Sequence, residues 1–202
     1  HRDGVWQDQR TEIGSLAGDA SQLYGVLGEA DPEVVCKLGG ICLLKSRKGW
    51  KELANTIPPD AVVRVFAGKG WALTGEGVFR ADDTGFARVG PPPPWKTPAT
   101  GFWVGADGAI AVAEPAAHAI HRLDPGATSW QTDRSPIGGP RDVSGPPSDR
   151  WICGDGGIVH GDGSAFARVG SPTWRFARWI ATPSGGLAGG ADGVYAVQAA
   201  KQ

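Results

Sequence analysis

The chain has 202 residues, 20 Lys and Arg against 21 Asp and Glu, 32 Gly and 16 Pro. The near-neutral balance, without a basic run, excludes nucleic-acid binding and membrane-surface attraction by charge, and so much Gly and Pro disfavours long helices in favour of short strands joined by turns. Nine Trp and six Phe supply the apolar area for one packed core, which argues against disorder, and no apolar stretch approaches the roughly 20 residues that a membrane-inserted helix needs.

The chain starts at His1 and contains no Met. This suggests a processed product that has lost a secretory signal, and a secreted, periplasmic or lumenal setting. The first strand signal is VWQDQ around Trp6, followed by an apolar run at Leu23–Gly28. A hairpin, VVCKLGGI, covers 34–41. If its turn takes three residues (38–40), Cys36 and Cys42 lie opposite each other and can form a disulfide, whereas a two-residue Gly39-Gly40 turn puts them out of register. Buried small hydrophobes are the alternative reading of the two cysteines.

A strand with one aromatic follows at Trp50, then Val62–Phe66, a second hairpin, WALTGEGV (71–78), and GFARV at Phe86. Pro91 to Pro94 read as a polyproline surface crossover. A poor strand near Trp95–Ala99 precedes a third hairpin, WVGADGAI (103–110). The stretch AEPAAHAIHRL (113–123) reads as an insertion, which leaves FWVGA as an alternative inner strand. SWQTD at Trp130, Arg141–Gly145, a fourth hairpin, WICGDGGI (151–158), and AFARV at Phe166 come next. Arg175–Ile180 and a fifth hairpin, LAGGADGV (187–194), complete the chain.

Aligning the hairpins on a large apolar residue and the β-branched residue seven positions later gives five copies: Val34/Ile41, Trp71/Val78, Trp103/Ile110, Trp151/Ile158 and Leu187/Val194. Four are followed by an aromatic strand. The fifth is not, and a matching segment stands at the other end of the chain, around Trp6. The expected fold is therefore all-β, one domain over 1–202, a small five-bladed β-propeller closed by its own N-terminal strand, so that no terminal blade leaves a raw edge. Four blades, or less naturally a two-sheet sandwich, are the alternatives.

The turns Asp124-Pro-Gly-Ala-Thr-Ser-Trp130, Asp83-Thr-Gly-Phe86 and Asp162-Gly-Ser-Ala-Phe166 carry a resemblance to the Asp-box, or BNR-like, propeller group, including the photosystem-assembly-factor type. That resemblance covers most of the chain. It implies a propeller, and its members include sialidases, glycan binders and assembly scaffolds, so it does not select an activity.

Sialidase chemistry needs an arginine cluster, a Tyr nucleophile with a Glu partner and an acid. Neither Tyr24 nor Tyr195 stands in such a context, and no catalytic residue is assigned. His118 and His121 form H-x-x-H, a surface-loop reading being favoured over a metal site. The Asp/Gly turns at 105–108, 154–157 and 190–193 lack the distal ligands of a calcium loop. No metal and no cofactor is expected. The inner strands carry Arg64, Lys96, Arg141, Arg175 and Arg178, which form a basic channel mouth if they converge, and which pair with acids such as Asp60 and Asp142 if they do not. Trp95 and Trp174 lie outside the repeat framework and are the candidate exposed aromatic contacts. Together these features predict a non-enzymatic binding or assembly module with a protein partner, compatible with a place in a larger complex, docking on one face through loops including 91–101 and 113–124. The alternatives are a glycan-binding lectin-like propeller and, behind it, a glycosidase or sialidase.

Overall fold

The structure, a computed structural model, describes residues 23–27, 34–37, 42–46, 49–52, 58, 61–66, 69–82, 85–170, 175–182, 185–190 and 193–198. They fall in two compact units, residues 1–89 and 90–202. The N-terminal segment around Trp6, Asp60, Asp83 and Trp174 lie outside the described residues.

Antiparallel strands that follow one another in sequence make up both units. In the first, β1 (Leu23–Leu27), β2 (Val34–Lys37), β3 (Cys42–Ser46) and β4 (Gly49–Glu52) form one sheet, and β5 (Val62–Phe66), β6 (Lys69–Thr74), β7 (Gly77–Ala81) and β8 (Phe86–Val89) a second. In the second unit, β9 (Gly101–Val104), β10 (Ile110–Glu114), β11 (Ala119–Leu123) and β12 (Gln131–Arg134) form a sheet, as do β13 (Pro140–Ser144), β14 (Arg150–Gly154), β15 (Gly157–Gly161) and β16 (Phe166–Val169). The last sheet has three strands, β17 (Phe176–Thr182), β18 (Gly185–Gly190) and β19 (Gly193–Gln198). A 3-10 turn at Pro147–Asp149 is the one helical element among the described residues.

Short strands and Gly-rich turns thus settle as up-and-down meanders, as the composition predicts. Cys36 stands opposite Cys42 across β2 and β3, and Cys42 is disulfide-bonded; the turn between them lies outside the described residues. Cys153 is buried and is not part of a disulfide.

The third repeat is shifted. Trp71 and Trp151 stand on the second strands of their sheets, whereas Trp103 stands on a first strand, β9, so WVGADGAI is the hairpin of strands one and two. The stretch 113–123 is no insertion. It is the β10–β11 hairpin, with Glu114 opposite Ala119 and a turn at 115–118. Ala111 and Ala113 are fully buried there: small side chains let this hairpin pack closely, and their low β-propensity hides it in the sequence.

Each unit has its own core. In the first, Ala61, Ala72, Ala81, Phe86 and Cys42 cluster. In the second, Val143, Ile152 and Val159 of one sheet pack on Ala111, Ala113 and Ile120 of its neighbour, and Trp151 packs with Phe176, Ala188 and Val197 across the next interface. Trp151 is therefore sheet-to-sheet core. The first strands β9, β13 and β17 pack side by side, which gathers their leading ends.

Two turns are near copies. The Asp82 N–H donates to the Gly85 carbonyl and the Asp162 N–H to that of Ala165; the Asp82 carboxylate accepts from Gly85 N–H, and that of Asp162 from Ser164 and Ala165 N–H. Asp82 is thus the counterpart of Asp162, one residue before the position expected. Both turns lead into FARV strands that end on a Gly of positive φ, +78° at Gly90 and +80° at Gly170.

Candidate functional site

At the leading ends of β9, β13 and β17, the loop before β13 and the hairpin turns of β10–β11 and β14–β15 enclose an open groove of about 410 Å³, lined by His118, Gly138, Gly139 and Asp155 among others. His118 closes the β10–β11 turn. Its φ of +51° is the one left-handed non-Gly backbone among the described residues, a conformation that persists where surrounding bonds enforce it. Here the His118 N–H donates to Pro115 and its carbonyl accepts from Ser135 N–H. Gly139 N–H donates to His118 Nδ1 at 3.1 Å, which fixes the ring and leaves the proton of the neutral imidazole on Nε2.

Asp155 stands at the β14–β15 turn. Its carboxylate takes a two-pronged pair from Arg141, Nε to Oδ1 at 2.8 Å and Nη2 to Oδ2 at 3.2 Å. The Arg141 hydrogen bonds are the largest influence on Asp155 and hold its pKa below the ordinary carboxylate value, with the charges of Arg141 and Arg175 adding to the effect. Arg141 is held correspondingly above its usual value by Asp155. Gly139 is required at this corner: its φ is +52°, and a Cβ there would lie 2.6 Å from Asp155 Oδ2.

Of the five predicted basic residues, three gather at this end of the second unit. Arg141 lies on β13. Arg175, exposed, immediately precedes β17, and Arg178, exposed on β17, donates from Nη1 to the Thr100 carbonyl at 2.9 Å. Thr100 in turn donates its hydroxyl to the Arg141 carbonyl at 2.8 Å, tying the three leading ends together. The acid that answers Arg141 is Asp155, a residue the sequence reading placed in a turn without pairing it. Asp142, the expected partner, is fully buried and caps its neighbour's Val143 N–H.

Arg64 lies half-buried on β5, in the first unit. Lys96 is not on an inner strand, because residues 95–100 form a loop and the sheet's first strand is β9. Its side chain is exposed, and its backbone N–H is what the fold uses.

Trp95 is a correction. Expected on the surface, it is 5% exposed, with its ring 5.7 Å from His121 and edge-on to Trp130 at 5.2 Å. Beneath it Glu114, 3% exposed, accepts from Lys96 N–H (3.0 Å), Thr97 N–H (2.8 Å) and the Thr97 hydroxyl (2.6 Å) through one oxygen, and pairs with His121 Nε2 at 2.8 Å through the other. His121 Nδ1 pairs with the Thr132 hydroxyl. Burial pushes the Glu114 pKa up, and the bonds from Thr97, His121 and Lys96 outweigh it, so the carboxyl is held below its ordinary value. The polyproline segment is pinned as well, by Trp130 Nε1–H donating to Pro91. His118 and His121 therefore serve different networks on successive elements and do not converge on a metal. Among the described residues no cluster of His, Cys, Asp and Glu has the makings of a metal site.

No protein-family model matches the chain, and no curated protein matches it by sequence. Solved structures do. YCF48 bound to D1 peptide superposes with a TM-score of 0.55 at 15% identity, over 78% of this chain and 57% of that one. Virginiamycin B lyase from Staphylococcus aureus gives 0.60 at 13% identity, over 89% and 71%, and streptogramin B lyase 0.59 at 14%, over 87% and 68%. The chain spans little more than half the length of the first. At these identities the likeness concerns architecture, and it assigns this all-β chain a β-propeller fold.

Proposed function

We propose that the chain is a non-enzymatic binding module that docks a protein partner through the leading face of the second unit. The observation that carries this reading is the gathering of Arg141, Arg175 and Arg178 beside an open groove, tied by Thr100, with Asp155 paired to Arg141. Such a surface fits an acidic or carboxylate-bearing segment of a partner. The likeness to YCF48, a propeller solved with a D1 peptide, supports the class. In the same reading the chain forms one five-bladed ring of degenerate Asp-box repeats. On that reading the N-terminal segment around Trp6, outside the described residues, is the counterpart of a fourth strand for the sheet in which three strands, β17–β19, are described. The disulfide at Cys42 supports an exported setting, secreted, periplasmic or lumenal.

The test is purification from the native source under mild conditions, with mass spectrometry of what is retained, for the wild type and for an Arg175→Glu/Arg178→Glu double variant. A stoichiometric protein partner held by the wild type and lost at least tenfold by the double variant is the expected result. Recovery of the wild type alone, or equal retention by both, overturns the reading.

A second reading rests on His118. It is a groove histidine with a fixed ring beside a carboxylate, and one of the lyase structures is a catalytically inactive histidine-to-alanine variant solved with quinupristin. Under this reading the chain acts on a substrate of that class with His118 as proton carrier. Incubation with quinupristin and mass analysis decides it: turnover abolished by His118→Ala supports the lyase, and an unchanged substrate refutes it.

A further inference from the structure

A second cavity of about 370 Å³ lies between β11–β12 of one sheet and β14–β16 of the next, and shares no residue with the His118 groove. Arg150, the first residue of β14, lines it. Arg150 is 5% exposed, its Nε is buried without a hydrogen-bond partner, and its guanidinium makes no hydrogen bond or ion pair among the described residues. A buried guanidinium left in this condition is costly, and proteins retain buried charges where something pairs with them.

The neighbouring acids are engaged elsewhere. Asp133 pairs with Arg122, and the Asp162 carboxylate accepts from Ser164 and Ala165 in its turn. Burial, followed by the positive charge of Arg122, pushes the Arg150 pKa down, with Asp133 and Asp124 opposing in part. Arg134 stands exposed on the rim. The floor is apolar: Ile120 and Ile152 are buried, and Phe166 half-buried.

We propose that this cleft binds a small organic monocarboxylate, its head paired with Arg150 and its short apolar tail lying on Ile120, Ile152 and Phe166. A carboxylate matches the fork of a guanidinium. A single negative charge is specified because the carboxylates of Asp133 and Asp162 border the same cavity and repel a second one. The volume is near the lower end of small-molecule pockets, roughly 300–1,000 Å³, which fits a chain of a few carbons or one ring. This site is independent of the partner-docking face.

Calorimetric titration of the full chain with hexanoate, phenylacetate, hexanamide and inorganic phosphate tests the proposal. The expected result is one site per chain for a monocarboxylate, at least tenfold tighter than for the amide or for phosphate. Arg150→Met should abolish it while melting at or above the wild-type temperature, because an unpaired buried charge is removed. Arg134→Glu, an exposed change on an outer strand that leaves the fold unaltered, should weaken binding at least fivefold and keeps the test decisive if Arg150→Met does not fold. No monocarboxylate binding, equal binding of the amide, tighter binding of phosphate, or full binding by either variant overturns the proposal.

Discussion

Replacing Glu114 with Ala removes the acceptor of two backbone N–H groups and one hydroxyl in the 95–97 loop and the partner of His121 Nε2. Bonds to a charged group are worth about 1.5–3 kcal/mol each, and buried donors left unpaired cost about 1–3 kcal/mol. The Thr97 hydroxyl can rotate away and Lys96 lies near solvent, so the losses do not add in full. The expectation is about 3–4 kcal/mol, a large part of the roughly 5–15 kcal/mol that holds a domain together. Glu114→Gln keeps the shape and one acceptor oxygen, and His121 can exchange tautomers to meet the new amide, so about 1–2 kcal/mol is expected. Urea unfolding followed by Trp fluorescence measures both, since Trp95 packs on His121, and hydrogen exchange at Lys96 and Thr97 localises the effect. An Ala variant within 1 kcal/mol of wild type, or a Gln variant as damaged as Ala, would refute the claim that this carboxylate fastens the loop.

Because Glu114 and Asp155 are held below their unfolded values, near 4, they contribute stability that is fully present above that pH and is lost as pH falls through their folded values. Melting temperature should therefore decline below about pH 5, and less so in Glu114→Gln. Arg141→Ala should cost under about 1 kcal/mol, since this pair is largely exposed and screened, and 0.5 M salt should shrink the difference in melting temperature. Gly139→Ala should cost more, about 1–3 kcal/mol, through its positive φ and the collision with Asp155, read as a lower urea midpoint. Thiol titration under denaturing conditions should find one reactive thiol per chain without reductant and three with it.

The hairpins were readable because their signal is local: a β-branched or aromatic run, a Gly turn and a second run occupy about eight residues. Which strand of a sheet a hairpin supplies is not local. Trp103 with its GADG turn looks like Trp151 with its GDGG turn, yet the first sits on strands one and two and the second on strands two and three. Trp95 was misjudged for a related reason. After four prolines it has no strand pattern of its own, and what buries it, His121 and Trp130, comes from later in the chain. Arg141, Arg175 and Arg178 could be picked out by type and place, but Asp155 as the counter-charge depended on the β14–β15 turn reaching the loop before β13. Nothing in the sequence marked Arg150 as buried.

The paired Asp turns carry a consequence for exchange between sheets. Residues 71–90 and 151–170 align without a gap, Trp on Trp, Asp82 on Asp162 and FARVG on FARVG; their strands correspond, and Gly77 and Gly90 share a positive φ with Gly157 and Gly170. The β9–β12 sheet between them does not follow that template. A chimera in which residues 82–90 and 162–170 trade places tests the equivalence of the two segments: each should fold in the other's seat.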